Sequence, residues 1–313
     1  MRLTAPTLSL HLRRQWHVAL TALATSSLLT AAQAACMGME LQAHRGAAGF
    51  PENSYAAVQA AVQGAWEGAE IDVQSLSDGE LALHHDALTT RTTSLRGRMV
   101  RQLDSTAWSE VRLKDSKGKL TAERAPFLRD VVPMVQASGK VLNVEIKEEF
   151  RNCSTAHATT RLLLAGMPAG RWGISATDSN HLRCVRQLDA QAYLGIISLD
   201  HASIALSNQR TASRAQYLRS AQLSPEYLSK LVRNVAPPVG LHMDVYSLRA
   251  NPNVLADARH FRLPVLTYSM KGDSHHIAEL ARHYQHHAML PSGAIIDGAP
   301  QAFCQQLAQA IGR

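Results

Sequence analysis

From about residue 40 onward, short apolar runs alternate with longer amphipathic ones. Nine of the short runs predict strands: Leu41 to His44, Ala69 to Gln74, Leu81 to His85, Val141 to Ile146, Trp172 to Ser175, Tyr193 to Ile197, Gly240 to Asp244, Pro264 to Tyr268, and Ala294 to Asp297. Helices are expected near Ser54 to Gln63, Pro126 to Ser138, Thr155 to Ala165, Ser179 to Leu188, Ser224 to Val235, Asn251 to His260, His275 to Tyr284 and Ala299 to Ile311. In the first of these, Tyr55, Val58 and Val62 fall on one face and Gly64 supplies the stop. This alternation is the signature of parallel β/α units. Only six residues, Asp78-Gly79 among them, separate Gln74 from Leu81. That is too few for a parallel crossover, so the third run is expected to return antiparallel from the second. Eight parallel strands remain, the number that closes an α/β fold into a (β/α)₈ TIM barrel. The segment from Thr89 to Arg124 breaks the rhythm, with nine basic and four acidic residues and little periodicity. It reads as an insert, about residues 87–125, beside the barrel mouth after the second strand, either a solvated excursion or a substrate-facing lid.

The 313 residues are 46% hydrophobic, 18% charged and 5% aromatic, which suits a folded globule and excludes a disordered chain. Part of the net charge of +7 lies in the N-terminal segment. There Arg2, Arg13 and Arg14 precede an apolar stretch from Val18 to about Ala32 and a run of small residues, the pattern of a secretory signal peptide. Cleavage after Ala34 leaves residues 35–313 as one barrel domain with 29 basic and 25 acidic side chains, only mildly basic, in the periplasm or outside the cell. The alternative, a retained anchor, is disfavoured by interrupting Thr and Ser and by length. Arg13-Arg14 also permits twin-arginine export, and Cys36 a lipidated cysteine, although Gln33 does not suit lipidation. No later apolar stretch is long enough to cross a bilayer, so no stable membrane insertion is expected once the leader is removed.

The four cysteines, Cys36, Cys153, Cys184 and Cys304, contain no C-x-x-C pair. An even count in an exported chain suggests disulfides. A closed barrel makes the first strand and last helix neighbours, favouring Cys36 with Cys304 and leaving Cys153 with Cys184. Spacing alone does not choose among the three pairings, or between disulfides and free thiols.

Polar residues that interrupt apolar strands gather at strand ends, where barrel active sites lie. Glu70-Ile71-Asp72 puts two carboxylates on one strand face, and Glu145-Ile146-Lys147 adds an acid and a base in the same way. Buried charges need partners. Glu70, Asp72 and Glu145 are compensated either by Arg45 and Lys147 alone or by one divalent cation, and an all-oxygen set favours Mg²⁺ or Ca²⁺. Three such motifs on successive strands favour the cation. His44 and His85 adjoin the same cluster as proton donor and acceptor.

In order and spacing, His44-Arg45-Gly46, Pro51-Glu52-Asn53-Ser54, Glu70-Ile71-Asp72-Val73, Asp78-Gly79, His85-Asp86, Arg91-Thr92-Thr93 and Glu145-Ile146-Lys147 resemble the glycerophosphodiester phosphodiesterase family. The match is strong from Leu41 to Thr93 and around Glu145, and weak elsewhere. The resemblance implies a (β/α)₈ barrel with an insert after the second strand, dependence on a divalent metal, and hydrolysis of glycerophosphodiesters to sn-glycerol 3-phosphate and an alcohol. It implies His44 and His85 as general acid and base, Glu70, Asp72 and Glu145 as metal ligands, and Arg45 and Lys147 as phosphate-binding charges, with Glu52 in support. The chain departs from the pattern at Tyr268-Ser269, where the family usually has Trp-Thr, at Asp297-Gly298, where it has Thr-Asp, and at His84, where an apolar residue is usual. These changes touch the substrate-binding side, Tyr268 included, more than the carboxylates.

The partner expected is therefore a small phosphodiester. The nearest alternative is a lipid phosphodiesterase of lysophospholipase D or sphingomyelinase D type, which needs an apolar rim at the mouth. A non-catalytic phosphoester-binding protein is a second alternative, disfavoured by the two histidines. The basic segment lacks interleaved aromatics, so no nucleic acid is expected. His283 and His287 have zinc-pair spacing, but no Glu follows His283, and a solvent-facing helix is expected for this histidine-rich stretch.

Overall fold

The computed structural model describes residues 36–200 and 222–312. The leader read from residues 1–34 lies outside the described residues.

Eleven strands are found among them: β1 (Glu40–Ala43), β2 (Gly68–Ser75), β3 (Leu81–Leu83), β4 (Arg112–Lys114), β5 (Leu120–Arg124), β6 (Val141–Ile146), β7 (Trp172–Ala176), β8 (Tyr193–Ser198), β9 (Val239–Asp244), β10 (Val265–Tyr268) and β11 (Gly293–Ile296). Eight of them form a parallel sheet in the order β1-β11-β10-β9-β8-β7-β6-β2, closed by pairing of β1 with β2. Strand β3 returns antiparallel along the end of β2, Val73 opposite Leu83, as the short connection dictates.

Helices cover the barrel's outside, and their ends follow the sequence. Ser54 caps α1 (Tyr55–Gln63) by accepting from the Ala57 N–H at 3.0 Å. Along β2, Ala69, Ile71 and Val73 join the outer apolar core with Val58 and Leu128, and the alternate residues Glu70, Asp72 and Gln74 are left for the interior. Two disulfides pair all four cysteines, Cys36 with Cys304 and Cys153 with Cys184. The first ties the start of β1 to the last helix across the closure of the barrel, as that closure leads one to expect.

Residues 87–125 are better ordered than their composition suggests. They contain α2 (Ser105–Ser109) and the β4–β5 hairpin. A separate small core holds them, with Trp108, Val111 and Leu113 buried against Leu76 and Phe127. Glu123 on β5 accepts from the Ala56 N–H at 2.9 Å, docking the hairpin on the first turn of α1. The outer face of the segment is solvated, while the hairpin turn reaches the barrel mouth. Among the described residues, no helix is long and apolar enough to cross a membrane.

Candidate active site

The chain leaves β1 through a sharp turn. Arg45 and Gly46 both take positive φ, +57° and +83°. A Cβ on Gly46 would stand 2.6 Å from the backbone carbon of Ala57, so only glycine fits where this turn meets α1. The turn is fastened to β2. The Arg45 N–H donates to Glu70 Oε2 at 3.0 Å, and the Gly46 N–H to the Glu70 carbonyl at 3.2 Å.

Glu70 and Asp72 on β2 and Glu145 on β6 each offer an oxygen, all within 4.8 Å of one another. The register between β2 and β6 brings this about, because Asp72 lies directly opposite Glu145. Lys147 Nζ sits 2.7 Å from Glu145 and 4.0 Å from Asp72. Arg45 Nε is 3.4 Å from Asp72, and this buried N–H makes no hydrogen bond. Burial and the neighbouring Asp72 push the Glu70 carboxyl up to about 8. Glu145 is also raised, by burial first, despite Lys147. Asp72 goes the other way: burial opposes its charge, but Arg45, His85, Lys147 and a hydrogen bond from Asn53 hold it well below the usual carboxylate range. Three carboxyl groups against two cations, one of which also serves Glu52, leave the cluster short of positive charge.

Each sequence-predicted histidine is backed by a carboxylate. His44 Nδ1 is 2.7 Å from Asp297 Oδ1, and His85 Nδ1 is 2.7 Å from Asp86 Oδ1. A carboxylate only accepts, so Nδ1 carries the proton in both rings and Nε2 is the nitrogen free for exchange. Burial works against the charged form of His44, but Asp297 overrides it and the pKa is raised. Asp297 is fixed in turn by Asp273, which accepts from the Asp297 N–H at 3.0 Å and from the Gly298 N–H at 2.6 Å. Arg91 clamps the other histidine's partner, donating to Asp86 at 2.6 Å and bidentately to Glu52 at 2.7 Å.

These groups open on one cavity of about 570 Å³. His44, Arg45, Glu52, Glu70, Glu145 and Lys147 line it, and so do His85 and Tyr268. Asp72 lies beneath, held by Arg45 and Asn53. Glu52 has both oxygens occupied by arginines, which makes it a support rather than a free contact. The Tyr268 hydroxyl donates to the Ser198 carbonyl at 3.3 Å while its ring walls the cavity. Ser116, at the turn of the β4–β5 hairpin, also lines it. His84 faces away from the site, buried edge-on against Trp108.

Sequence reasoning did not assign Asn53, Asp86, Arg91, Asp273 or Asp297. Asn53 takes φ +58° and spans Asp72 with two hydrogen bonds, Nδ2 to Oδ2 at 2.7 Å and Oδ1 from the backbone N–H at 2.9 Å. The adjacency of Asp86 to His85 was the available signal for one of these residues. A correction concerns the helix Asp273–His287: it does not simply face solvent, because His276 and His283 are buried. His276 Nε2 lies 2.8 Å from Thr267 Oγ1 and its ring packs edge-on against Phe303, whereas His286 and His287 are exposed.

The model of the "Glycerophosphoryl diester phosphodiesterase family" matches residues 44–297, from the first site histidine to its carboxylate partner. The Bacillus subtilis protein YqiK is 26% identical over 235 residues, 73% of this chain and 85% of that protein. A glycerophosphodiester phosphodiesterase of Bacillus altitudinis is 34% identical over 114 residues, 34% of this chain and 45% of that protein. Among solved structures, an Oleispira antarctica phosphodiesterase in complex with the product sn-glycerol-3-phosphate superposes with TM-score 0.62 at 21% identity, covering 88% of this chain and 97% of that one. A glycerophosphodiester phosphodiesterase from Parabacteroides distasonis gives 0.64 at 15%, covering 88% and 99%. At these identities the structural likeness is one of fold.

Proposed function

The chain belongs to the glycerophosphoryl diester phosphodiesterase family, a family of phosphoric diester hydrolases, and we propose that it hydrolyses glycerophosphodiesters to sn-glycerol 3-phosphate and an alcohol with one divalent cation and two histidines. The observation that carries this reading is the pairing, at one cavity, of a three-carboxylate cluster with two imidazoles that each rest Nδ1 on a carboxylate.

The cluster fits a cation. Its three oxygens lie close enough to share one ion, its charge is under-compensated, and an all-oxygen donor set suits Mg²⁺ or Ca²⁺. Glu70, Asp72 and Glu145 would hold it, and when bound it would supply Lewis-acid polarisation of a phosphoryl oxygen. Arg45 and Lys147 flank the cluster and neutralise charge on the phosphoryl oxygens. Arg45 lines the cavity, where its guanidinium fork suits an anion. His44, with proton affinity raised by Asp297, suits the donor that protonates the departing alkoxide as its bond to phosphorus breaks. His85 then takes the proton from the oxygen that forms the new bond. Arg91, itself held by Glu52, fixes Asp86, and through it the His85 ring.

Export to an oxidising compartment, after removal of residues 1–34 from a single barrel domain, is part of the same proposal, supported by the pairing of all four cysteines. The direct test is release of sn-glycerol 3-phosphate from glycerophosphocholine with added Mg²⁺ or Ca²⁺, compared with EDTA. Release that stops in EDTA and returns with the cation is expected. Binding of glycerophosphocholine without release would leave a phosphoester-binding protein instead.

A second reading has its own observation. Phe50, Leu199 and Met270 line the cavity yet are 44%, 41% and 42% exposed, an apolar contribution to its rim. Such a rim suits the chain of a single-chain lipid phosphodiester. Turnover of lysophosphatidylcholine that falls selectively in a Phe50→Ser, Met270→Ser double variant, with glycerophosphocholine turnover kept, would favour it. No turnover of the lipid would remove it.

A further inference from the structure

Inside the barrel, a line of polar side chains runs from its lower end to the floor of the cavity. Gln42 on β1 donates through Nε2 to Glu40 Oε1 at 2.8 Å. Asn143 on β6 donates through Nδ2 to Gln42 Oε1 at 3.0 Å. Ser175 on β7 donates through its hydroxyl to Asn143 Oδ1 at 3.0 Å. Gln42, Asn143 and Ser175 are all buried. Ser175 stands opposite Glu145 in the β6–β7 register, and it lines the cavity.

The direction of this line is fixed from one end. A carboxylate can only accept, so Glu40 turns the NH₂ of Gln42 toward itself and the carbonyl oxygen of Gln42 toward Asn143. That oxygen in turn draws the Asn143 NH₂ and leaves Asn143 Oδ1 facing Ser175. The Ser175 proton is thereby committed, and only lone pairs of Oγ are left for the cavity. Arginine, lysine and histidine donors already surround the phosphate site, and Ser175 adds an acceptor with no proton to give.

Resting on the hydrolysis of glycerophosphodiesters set out above, we propose that Ser175 is a specificity residue that accepts a hydrogen bond from one hydroxyl of the glycerol unit, with Glu40, Gln42 and Asn143 as positioning residues that fix its polarity. A site built to accept from a hydroxyl discriminates against the analogue that lacks it, because the buried acceptor is left unpaired.

The test compares kcat/KM of the wild type and Ser175→Ala on glycerophosphocholine and on its two monodeoxy analogues, the phosphocholine esters of propane-1,2-diol and propane-1,3-diol. Ser175→Ala is expected to cost about tenfold on glycerophosphocholine, the order of one hydrogen bond left unmade at a buried site, and less than about twofold on the analogue that lacks the hydroxyl Ser175 holds. Gln42→Leu, remote from the chemistry, frees Asn143 to reverse and should lower the preference for glycerophosphocholine over that same analogue. Equal losses on every substrate the wild type turns over would overturn the proposal and leave Ser175 a structural residue or a contact to water. So would no loss on any, or a preference that Gln42→Leu does not move. A wild type that releases no sn-glycerol 3-phosphate with cation present would instead overturn the reading of the reaction, and this inference with it.

Discussion

Replacing Asn53 with Ala removes a support on which the whole carboxylate cluster depends. Asn53 holds Asp72 at two points, its carboxylate at 2.7 Å and its backbone N–H at 2.9 Å, both buried. A hydrogen bond to a charged group is worth roughly 1.5–3 kcal/mol, and a buried N–H left unpaired costs roughly 1–3 kcal/mol. Asn53 also sits at φ +58°, a region Asn tolerates, where Ala adds about 1 kcal/mol. The sum is roughly 3.5–7 kcal/mol, a large part of the roughly 5–15 kcal/mol typical of a folded domain. Urea unfolding in EDTA measures it. Asn53→Gly separates the parts, since it relieves the backbone and keeps the lost hydrogen bonds, and should recover about 1 kcal/mol relative to Ala. In the presence of cation, freeing Asp72 should also weaken Mg²⁺ or Ca²⁺ affinity by about 10- to 100-fold, the usual effect of removing an outer-shell partner. An Asn53→Ala protein within 1 kcal/mol of wild type with unchanged cation affinity would refute this account of Asp72.

Three further outcomes follow from the same geometry. Asp72→Ala or Glu145→Ala should abolish activity together with thermal stabilisation by added cation, because a ligand that binds only the folded state stabilises it; lost activity with stabilisation intact would count against these ligands. Asp297→Asn removes the group that overrides burial and raises the His44 pKa, so His44 should lose its proton at lower pH and the alkaline limb of the kcat/KM profile should move down; an unmoved or upward-shifted limb would contradict the donor role. Gly46→Ala should destabilise by more than about 3 kcal/mol in urea unfolding, because the added Cβ meets the Ala57 backbone at 2.6 Å and φ is +83°.

Much of the architecture was legible because it rests on local signals. All nine strand positions followed from apolar runs, and six residues between Gln74 and Leu81 were enough to turn β3 antiparallel. Barrel closure then made the cysteine pairing readable as well. The site's primary charges were legible because acids and bases inside apolar strands have few innocent explanations. Their supports were not, for reasons that lie in tertiary geometry. Asp297 reaches His44 across 253 residues of sequence, and no local pattern marks that contact. Asn53 acts through a left-handed backbone that composition does not announce. The β4–β5 hairpin is short and charged, so its strands carried no apolar alternation, and its ordering comes from Trp108 and from docking on α1. His276 and His283 turn inward because the helix Asp273–His287 packs against the last helix and β10, a face that histidine content conceals.

The claim that the two carboxylate-backed histidines divide proton transfer between them is tested most directly by changing the leaving group. His44→Ala and His85→Ala are each expected to lose about 10² to 10⁴ in rate on glycerophosphocholine, the usual worth of a positioned proton-transfer group. On a nitrophenyl phosphodiester, whose leaving group needs no proton, the account predicts that the loss in His44→Ala shrinks while that in His85→Ala persists. Equal losses on both substrates for both variants would contradict it and reduce the histidines to orienting or phosphate-contacting groups.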